Sequence, residues 1–192
     1  MVARERKFST MELFQATEQT LLQHGYEGFT FGILAEKLKV SRGAIYKYYQ
    51  NKEELIFDYM IAEMETFLKM LSEIEQQKGF SDQFDFLVDA IFAKTEIHAL
   101  IEVTQHIPVH NNENVKEKKA MLDQFHLDMY KFLQKFIDLG RAEGILKPNL
   151  PDGMMLGFIF QSFTIPNHFG IPRAQWIRGI KEILGYGMFE NK

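Results

Sequence analysis

Two groups of polar side chains in this 192-residue chain have the types and spacing that chemistry requires. The first lies between residues 30 and 52 and combines one arginine with lysines, tyrosines and hydroxyls: Thr30, Ser41, Arg42, Tyr46, Lys47, Tyr48 and Lys52. A guanidinium bonds a guanine edge in bidentate fashion, whereas ammonium, phenol and hydroxyl groups bond phosphate oxygens. The first group therefore indicates a surface that contacts double-stranded DNA.

The second group is a stripe of imidazoles and a carboxylate. His98, Glu102 and His106 recur every four residues and so share one helical face, and His110 follows at the same interval. Two histidines and a carboxylate are a ligand set for a divalent metal, and His126 is a candidate further ligand. A proline before His110 ends the predicted helix, and stripes of this kind are common on solvated faces. We therefore favour a solvated stripe and predict no metal site.

The first group is positioned by short helices whose starts the sequence marks. Ser, Thr and Asn side chains accept hydrogen bonds from the free N–H groups of a helix start, and they recur here at short spacing. The predicted caps and helices are Thr30 before residues 31–38, Ser41 before residues 42–49, and Asn51, with Glu54 near a capping box, before residues 52–77. This arrangement predicts a helix-turn-helix.

The helix over residues 42–49 is the predicted recognition helix. The small residues Gly43 and Ala44 would let it approach the floor of the major groove, and Arg42 would bond a base edge. Ile45 and Tyr49 are predicted to point inward and hold this helix on its neighbours. Thr30 and Lys52 each lie at a helix start, where free N–H groups favour a phosphate. The segment thus divides into a reading face and a packing face.

The order and spacing of residues from about Phe14 to Phe57 resemble the N-terminal domain of TetR-family transcriptional regulators. The resemblance is carried by Gly25-Tyr26, Thr30, Ile33-Leu34-Ala35, Val40-Ser41, the run Ile45 to Tyr49, and Asn51 to Leu55. It implies a major-groove face of Arg42, Gly43, Ala44, Tyr46, Lys47 and Tyr48, with Thr30, Ser41 and Lys52 on phosphates. Gly32 departs from the family, which commonly has a polar side chain there, so that phosphate contact is missing.

Helical periodicity dominates the rest of the chain, and we predict an all-α protein. The further predicted helices cover residues 9–23, 81–95, 96–106, 115–142, 152–164 and 173–188. Residues 1–52 hold eight lysines and arginines against five glutamates, whereas the remainder holds 14 basic against 21 acidic residues. This charge division predicts a DNA-binding domain over residues 1–52 and a helical ligand-binding and dimerisation domain over residues 53–192.

The larger domain is rich in Phe and Met, which can leave room for an apolar guest. The candidate lining residues are aromatic or sulfur-containing and come from several predicted helices: Phe67, Phe92, Phe125, Met129, Phe132 and Phe163. Acidic side chains such as Glu63 and Glu102 would instead favour a cationic ligand. The sequence leaves the two ligand classes open.

These observations predict a homodimeric DNA-binding regulator, a repressor that a small, largely apolar molecule releases from its operator. The predicted dimer contact uses apolar residues of the last two helices: Met155, Phe158, Ile159, Ile180, Ile183 and Leu184. An α-helical metal-dependent enzyme using the histidine stripe is the alternative. The chain has no cysteine, no recognisable phosphate loop and no apolar run of about 18 residues, so we expect a cytoplasmic protein without cofactor or membrane partner.

Overall fold

The computed structural model describes residues 8–93, 107–108 and 112–190. These residues are mainly helical, and the extended structure among them is a single bridge between Leu146 and Phe189. The all-α prediction is therefore confirmed. The described residues cluster into two compact units, one within residues 1–64 and 99–123 and the other within residues 65–98 and 124–192.

Nine α-helices follow one another within the described residues. They are α1 (Thr10–Gly28), α2 (Phe31–Lys37), α3 (Arg42–Ile45), α4 (Lys52–Leu71), α5 (Gly79–Ala93), α6 (Glu113–Phe132), α7 (Gln134–Ala142), α8 (Asp152–Gln161) and α9 (Arg173–Met188). Two 3-10 helices, Ser72–Gln76 and Ser162–Thr164, continue α4 and α8. The predicted helices over residues 52–77 and 152–164 are thus present, each with a tightened last turn.

Local capping signals set several helix limits. α1 begins after Ser9, whose hydroxyl accepts from the Glu12 N–H at 3.1 Å while the Glu12 carboxylate accepts from the Ser9 N–H at 2.7 Å. Gly25 has φ +62° and interrupts this helix before a final turn. Thr30 caps α2 by accepting from the Ile33 N–H at 3.3 Å. The three helix starts and stops follow from residues next to them in the sequence.

Three local predictions are wrong. Ser41 precedes α3 with extended backbone angles, but its side chain makes no capping hydrogen bond. The recognition helix is shorter than predicted, because regular α-helix ends at Ile45 and residues 46–48 form a turn. The predicted helix over residues 115–142 is divided at Leu133, where ψ is −4°. In the last two cases the backbone departs from a helix that the side-chain periodicity alone would continue.

The unit that contains α1 to α3 has an aliphatic core that fixes α3. Leu34 of α2, Ile45 of α3 and Leu55 of α4 are fully buried. Burial of each such side chain contributes about 1.5–3 kcal/mol relative to exposure. Met11 and Leu22 of α1 lie outside this core and are exposed. The core thus holds α3 by its packing face.

The other unit is built on an aromatic cluster. The Phe80 ring stacks on Phe136 with centroids 4.7 Å apart, and Phe84 and Phe189 meet edge to face at 5.1 Å. Gly140 makes room for this cluster, since an added Cβ would lie 2.5 Å from a Phe80 ring carbon. The cluster leaves no free space beside Gly140, because even one methyl group added there on α7 would force the Phe80 ring to move.

The histidine stripe lies outside the described residues. This holds for His98, Glu102, His106 and His110, and for the predicted helix over residues 96–106. His126 is half-buried on α6. Where the structure is described, no group of three or more His, Cys, Asp or Glu side chains is placed to hold a metal ion. Nor does any helix in those ranges combine the length and apolar character needed to cross a membrane.

Candidate functional site

The exposed face of α3 and the turn after it carries most of the predicted DNA-contacting side chains. Arg42, Gly43 and Lys47 are exposed, and Tyr46 and Tyr48 are 57% and 41% exposed. Ile45 is buried and Tyr49 half-buried, as predicted for the packing face. Donors of hydrogen bonds and positive charge are therefore gathered on one side of this segment.

Aromatic contacts fix the two exposed tyrosines. The Tyr46 ring meets Phe31 of α2 edge to face, with centroids 5.0 Å apart and planes 73° apart. The Tyr48 ring meets Phe8 in the same way, at 5.7 Å and 71°. Such edge-to-face pairs add about 0.5–1.5 kcal/mol beyond area burial. The ring contacts thus fix the positions of Tyr46 and Tyr48, while both side chains remain partly exposed to solvent.

Ala44 departs from the predicted DNA face. It is only 8% exposed and packs into the core of its unit. Its neighbour Gly43 is exposed, and an added Cβ there would meet only the Ser41 hydroxyl, at 4.0 Å. Ser41 is itself exposed. At the start of α3 the exposed residues are therefore Ser41, Arg42 and Gly43. Ala44 is buried and does not belong to the predicted DNA-contacting surface.

The two predicted phosphate contacts at helix starts differ in their surroundings. Thr30 is exposed at the start of α2. Lys52, the first residue of α4, is half-buried; its Nζ donates to the Tyr26 carbonyl at 2.7 Å and lies 3.9 Å from the Tyr26 ring centroid. Burial, and then the hydrogen bond to Glu53, raise the pKa of the Tyr26 phenol above its usual range. The Lys52 ammonium is therefore already bound to Tyr26, through the carbonyl and the ring, in this structure.

The start of α4 has a contact that was not predicted from the sequence. Asn51 caps α4 as predicted, with its Oδ1 accepting from the Glu54 N–H at 2.8 Å. The Glu54 carboxylate is buried and also accepts from the side-chain amide of Asn112 at 3.1 Å. Asn112 in turn accepts from the Val115 N–H at 3.3 Å and so caps α6. An Asn three residues before an apolar helical residue was the signal for that cap.

The six candidate ligand residues differ in their exposure to solvent. Phe67, Phe92 and Met129 are buried, whereas Phe125, Phe132 and Phe163 are half-buried. A pocket of about 110 Å³ is lined by one of these six together with neighbours from the same unit: Ile74, Glu75, Gln83, Phe132, Leu133, Lys135 and Phe136. Phe132 is therefore a predicted ligand residue that lies at the wall of this pocket.

The segment with this geometry matches a known family. Residues 13–59, from α1 to the first part of α4, match the model for bacterial regulatory proteins of the tetR family. This segment of the chain belongs to the tetR family of bacterial regulatory proteins. The TetR-family resemblance inferred from the sequence is thereby confirmed, and with it a helix-turn-helix DNA-binding transcriptional regulator.

Similarity to known proteins also extends over most of the chain. The uncharacterized HTH-type transcriptional regulator YhgD of Bacillus subtilis is 25% identical over 146 residues, which is 73% of either chain. The fold is similar to that of the Mycobacterium tuberculosis ketosteroid transcriptional regulator KstR2, with a TM-score of 0.75, 17% identity and full coverage of both chains. It is also similar to Bacillus subtilis FadR in complex with stearoyl-CoA, with a TM-score of 0.68, 19% identity and coverage of 93% and 99%.

The predicted dimer residues separate into two sets. Met155, Ile159, Ile180 and Leu184 are buried within their own chain, so their prediction as subunit contacts is wrong. Phe158 and Ile183 remain 63% and 70% exposed. Further exposed apolar side chains on the same two helices are Met154 and Tyr186. Apolar periodicity marked both helices correctly but could not separate the inward from the outward face.

Proposed function

We propose that this chain is a homodimeric transcriptional repressor that a small, largely apolar molecule releases from a two-fold symmetric operator. The observation that carries the proposal is the exposed set of donors on and after α3. Arg42 on α3 and Tyr46, Lys47 and Tyr48 in the turn after it are exposed, whereas Ile45 between them is buried in the core. A short helix held in this way fits the major groove.

The donors have different roles in the proposed complex. Arg42 reads a guanine, because its planar fork matches the N7 and O6 acceptors of that base. Lys47 and the two phenols bond phosphates, which position the protein and carry no sequence information. Thr30 and Ser41 add hydroxyls to the phosphate contacts. Lys52 joins them after its ammonium leaves the Tyr26 carbonyl, so its contribution is smaller than that of Lys47.

The dimer forms through the outer faces of α8 and α9. Met154 and Phe158 are four residues apart on α8, so they lie on one side of that helix, and Ile183 and Tyr186 share a side of α9. Glycines flank these side chains, and an added Cβ at Gly153, Gly157, Gly179 or Gly187 would meet nothing within 4 Å. Exposed apolar side chains beside open glycines favour close packing of a second copy.

The effector site lies at the pocket beside Phe132. Its walls combine four apolar side chains with three polar ones: Ile74, Phe132, Leu133 and Phe136, and Glu75, Gln83 and Lys135. The volume of about 110 Å³ is below the roughly 300–1,000 Å³ of drug-sized sites. Effector binding therefore widens the pocket.

Effector binding and DNA binding are opposed in this proposal. Adjacent half-sites in the major groove lie about 34–36 Å apart, so a dimer binds tightly only when its two recognition helices have that separation. An effector that binds better to a form with another separation shifts the population away from DNA. Repression itself needs only occupancy, because a dimer on an operator excludes other proteins from the same DNA.

The test combines selection of DNA with a search for the effector. The purified chain should enrich a two-fold symmetric sequence from a random pool of double-stranded DNA. Stearoyl-CoA, a free fatty acid and a ketosteroid are suitable first probes, since similar folds belong to regulators named for such compounds. The expected result is that at least one apolar probe raises the melting temperature and releases the selected DNA. Enrichment of no DNA sequence would refute the proposal.

A further inference from the structure

The side chain of Arg42 lies directly against Gly32. Gly32 is the second residue of α2 and Arg42 the first residue of α3. A Cβ added to Gly32 would lie 2.6 Å from Nη2 of Arg42 and 2.9 Å from both Nε and Cζ. All three distances are shorter than side-chain carbons tolerate, so the guanidinium occupies the space that any other residue at position 32 would fill.

This contact lies where α2 packs against α3. Phe31, next to Gly32, packs edge to face on Tyr46, which is one helical turn beyond Arg42. Leu34 and Ile45 are fully buried beneath the same two helices. The packing between these two helices therefore holds Gly32 at a fixed place relative to the start of α3.

A side chain at position 32 would change the direction of Arg42 without disturbing the core. Arg42 is exposed, and the atoms in the way are the far end of a flexible side chain. Gly32 is not among the glycines with positive φ, so alanine fits its backbone without strain. An added methyl group would thus displace the guanidinium while Leu34 and Ile45 stay buried.

We propose that Gly32 is a positioning residue for Arg42, and that this pair determines the base preference at one position of each operator half-site. The inference rests on the proposed DNA-binding function. A bidentate contact needs the plane and place of the guanidinium to match the base edge. Gly32 provides a flat surface on which the guanidinium rests, which restricts a side chain that otherwise samples many rotamers.

The experiment is a double-mutant cycle with DNA selection. Wild type, Gly32→Ala, Arg42→Ala and the double variant are each used to select DNA from a random double-stranded pool. We expect Gly32→Ala to change the preferred base at one position per half-site and to lower affinity for the wild-type sequence about fivefold to a hundredfold. In the Arg42→Ala background the same change should alter affinity less than about twofold, because no guanidinium remains to displace.

Thermal unfolding separates this role from a structural one. Gly32→Ala should retain the cooperative transition of the wild type, since only an exposed side-chain end moves. An equal loss of DNA affinity from Gly32→Ala in both backgrounds would overturn the inference, and so would an unchanged base preference. Enrichment of a motif by the wild type separates these failures from failure of the proposed function. If the wild type enriches no motif, the proposed function and this inference both fall.

Discussion

Arg141 and Asp152 form an ion pair that joins the last turn of α7 to the first residue of α8. Arg141 also donates to the Leu150 carbonyl at 2.8 Å, and the Asp152 carboxylate accepts from the Gln134 amide at 2.9 Å. The connection between the two helices is therefore held at both ends by one arginine. The hydrogen bonds from Arg141 and then Gln134 lower the pKa of Asp152.

This lowered pKa gives stability a defined pH dependence. A carboxyl whose folded pKa is below its unfolded value of about 3.9 stabilises the fold above that value, and the contribution is lost as pH falls through the folded pKa. Asp152→Asn should therefore unfold at lower urea concentration than the wild type at pH 7. The difference should shrink from about pH 5 to pH 3. Asp123→Asn, which removes an exposed carboxylate, is the control; a constant difference across pH would contradict the account.

The contact between Asn112 and Glu54 predicts a second stability effect. Asn112→Ala would remove the α6 cap and one donor to a buried carboxylate, and we expect a loss of about 1–3 kcal/mol in the free energy of unfolding. Asn114→Ala, an exposed neighbour in the first turn of α6, should change it by less than about 0.5 kcal/mol. Urea denaturation measures both variants. Equal effects from the two substitutions would show that the contact with Glu54 carries no stability.

The sequence predicted those features that depend on nearby residues. Thr30 and Asn51 cap the helices they precede, since a cap needs only the next few N–H groups. Partners distant in sequence were not predictable, as for Asn112 and Glu54, which are 58 residues apart. Nor could periodicity distinguish Ile180 from Ile183, because apolar side chains lie on both the buried and the exposed side of α9.

That distinction makes Ile183 the sharper probe of the dimer. Ile183→Glu places a charge on the exposed side of α9 and should give a monomer with much weaker DNA affinity, without loss of the fold. Ile180→Glu would unfold the chain, since Ile180 is buried. Ala174→Glu, exposed on the opposite side of α9, is the matched control. Sedimentation showing a monomeric wild type at micromolar concentration would contradict the proposed dimer.

The pocket wall predicts that effector response and DNA binding can be separated. Phe132→Trp should fill part of the pocket and weaken the binding of a fluorescent apolar probe such as 1-anilinonaphthalene-8-sulfonate. Operator affinity should stay nearly unchanged, because Phe132 is not among the proposed DNA contacts. Phe163→Trp, whose side chain is not part of the pocket wall, should retain probe binding. A parallel loss of stability and DNA binding in Phe132→Trp would instead mark Phe132 as a core residue.

The most direct test of the account measures DNA affinity against salt for Arg42→Ala and Lys47→Ala, on selected operator and on scrambled DNA. Arg42→Ala should cost about 1–3 kcal/mol per half-site on the operator and much less on scrambled DNA, because Arg42 reads a base. Lys47→Ala should weaken both alike and reduce the salt slope by about one unit for each phosphate that the lysine no longer neutralises. An equal fall in affinity for both DNAs in Arg42→Ala would contradict the placement of α3 in the major groove.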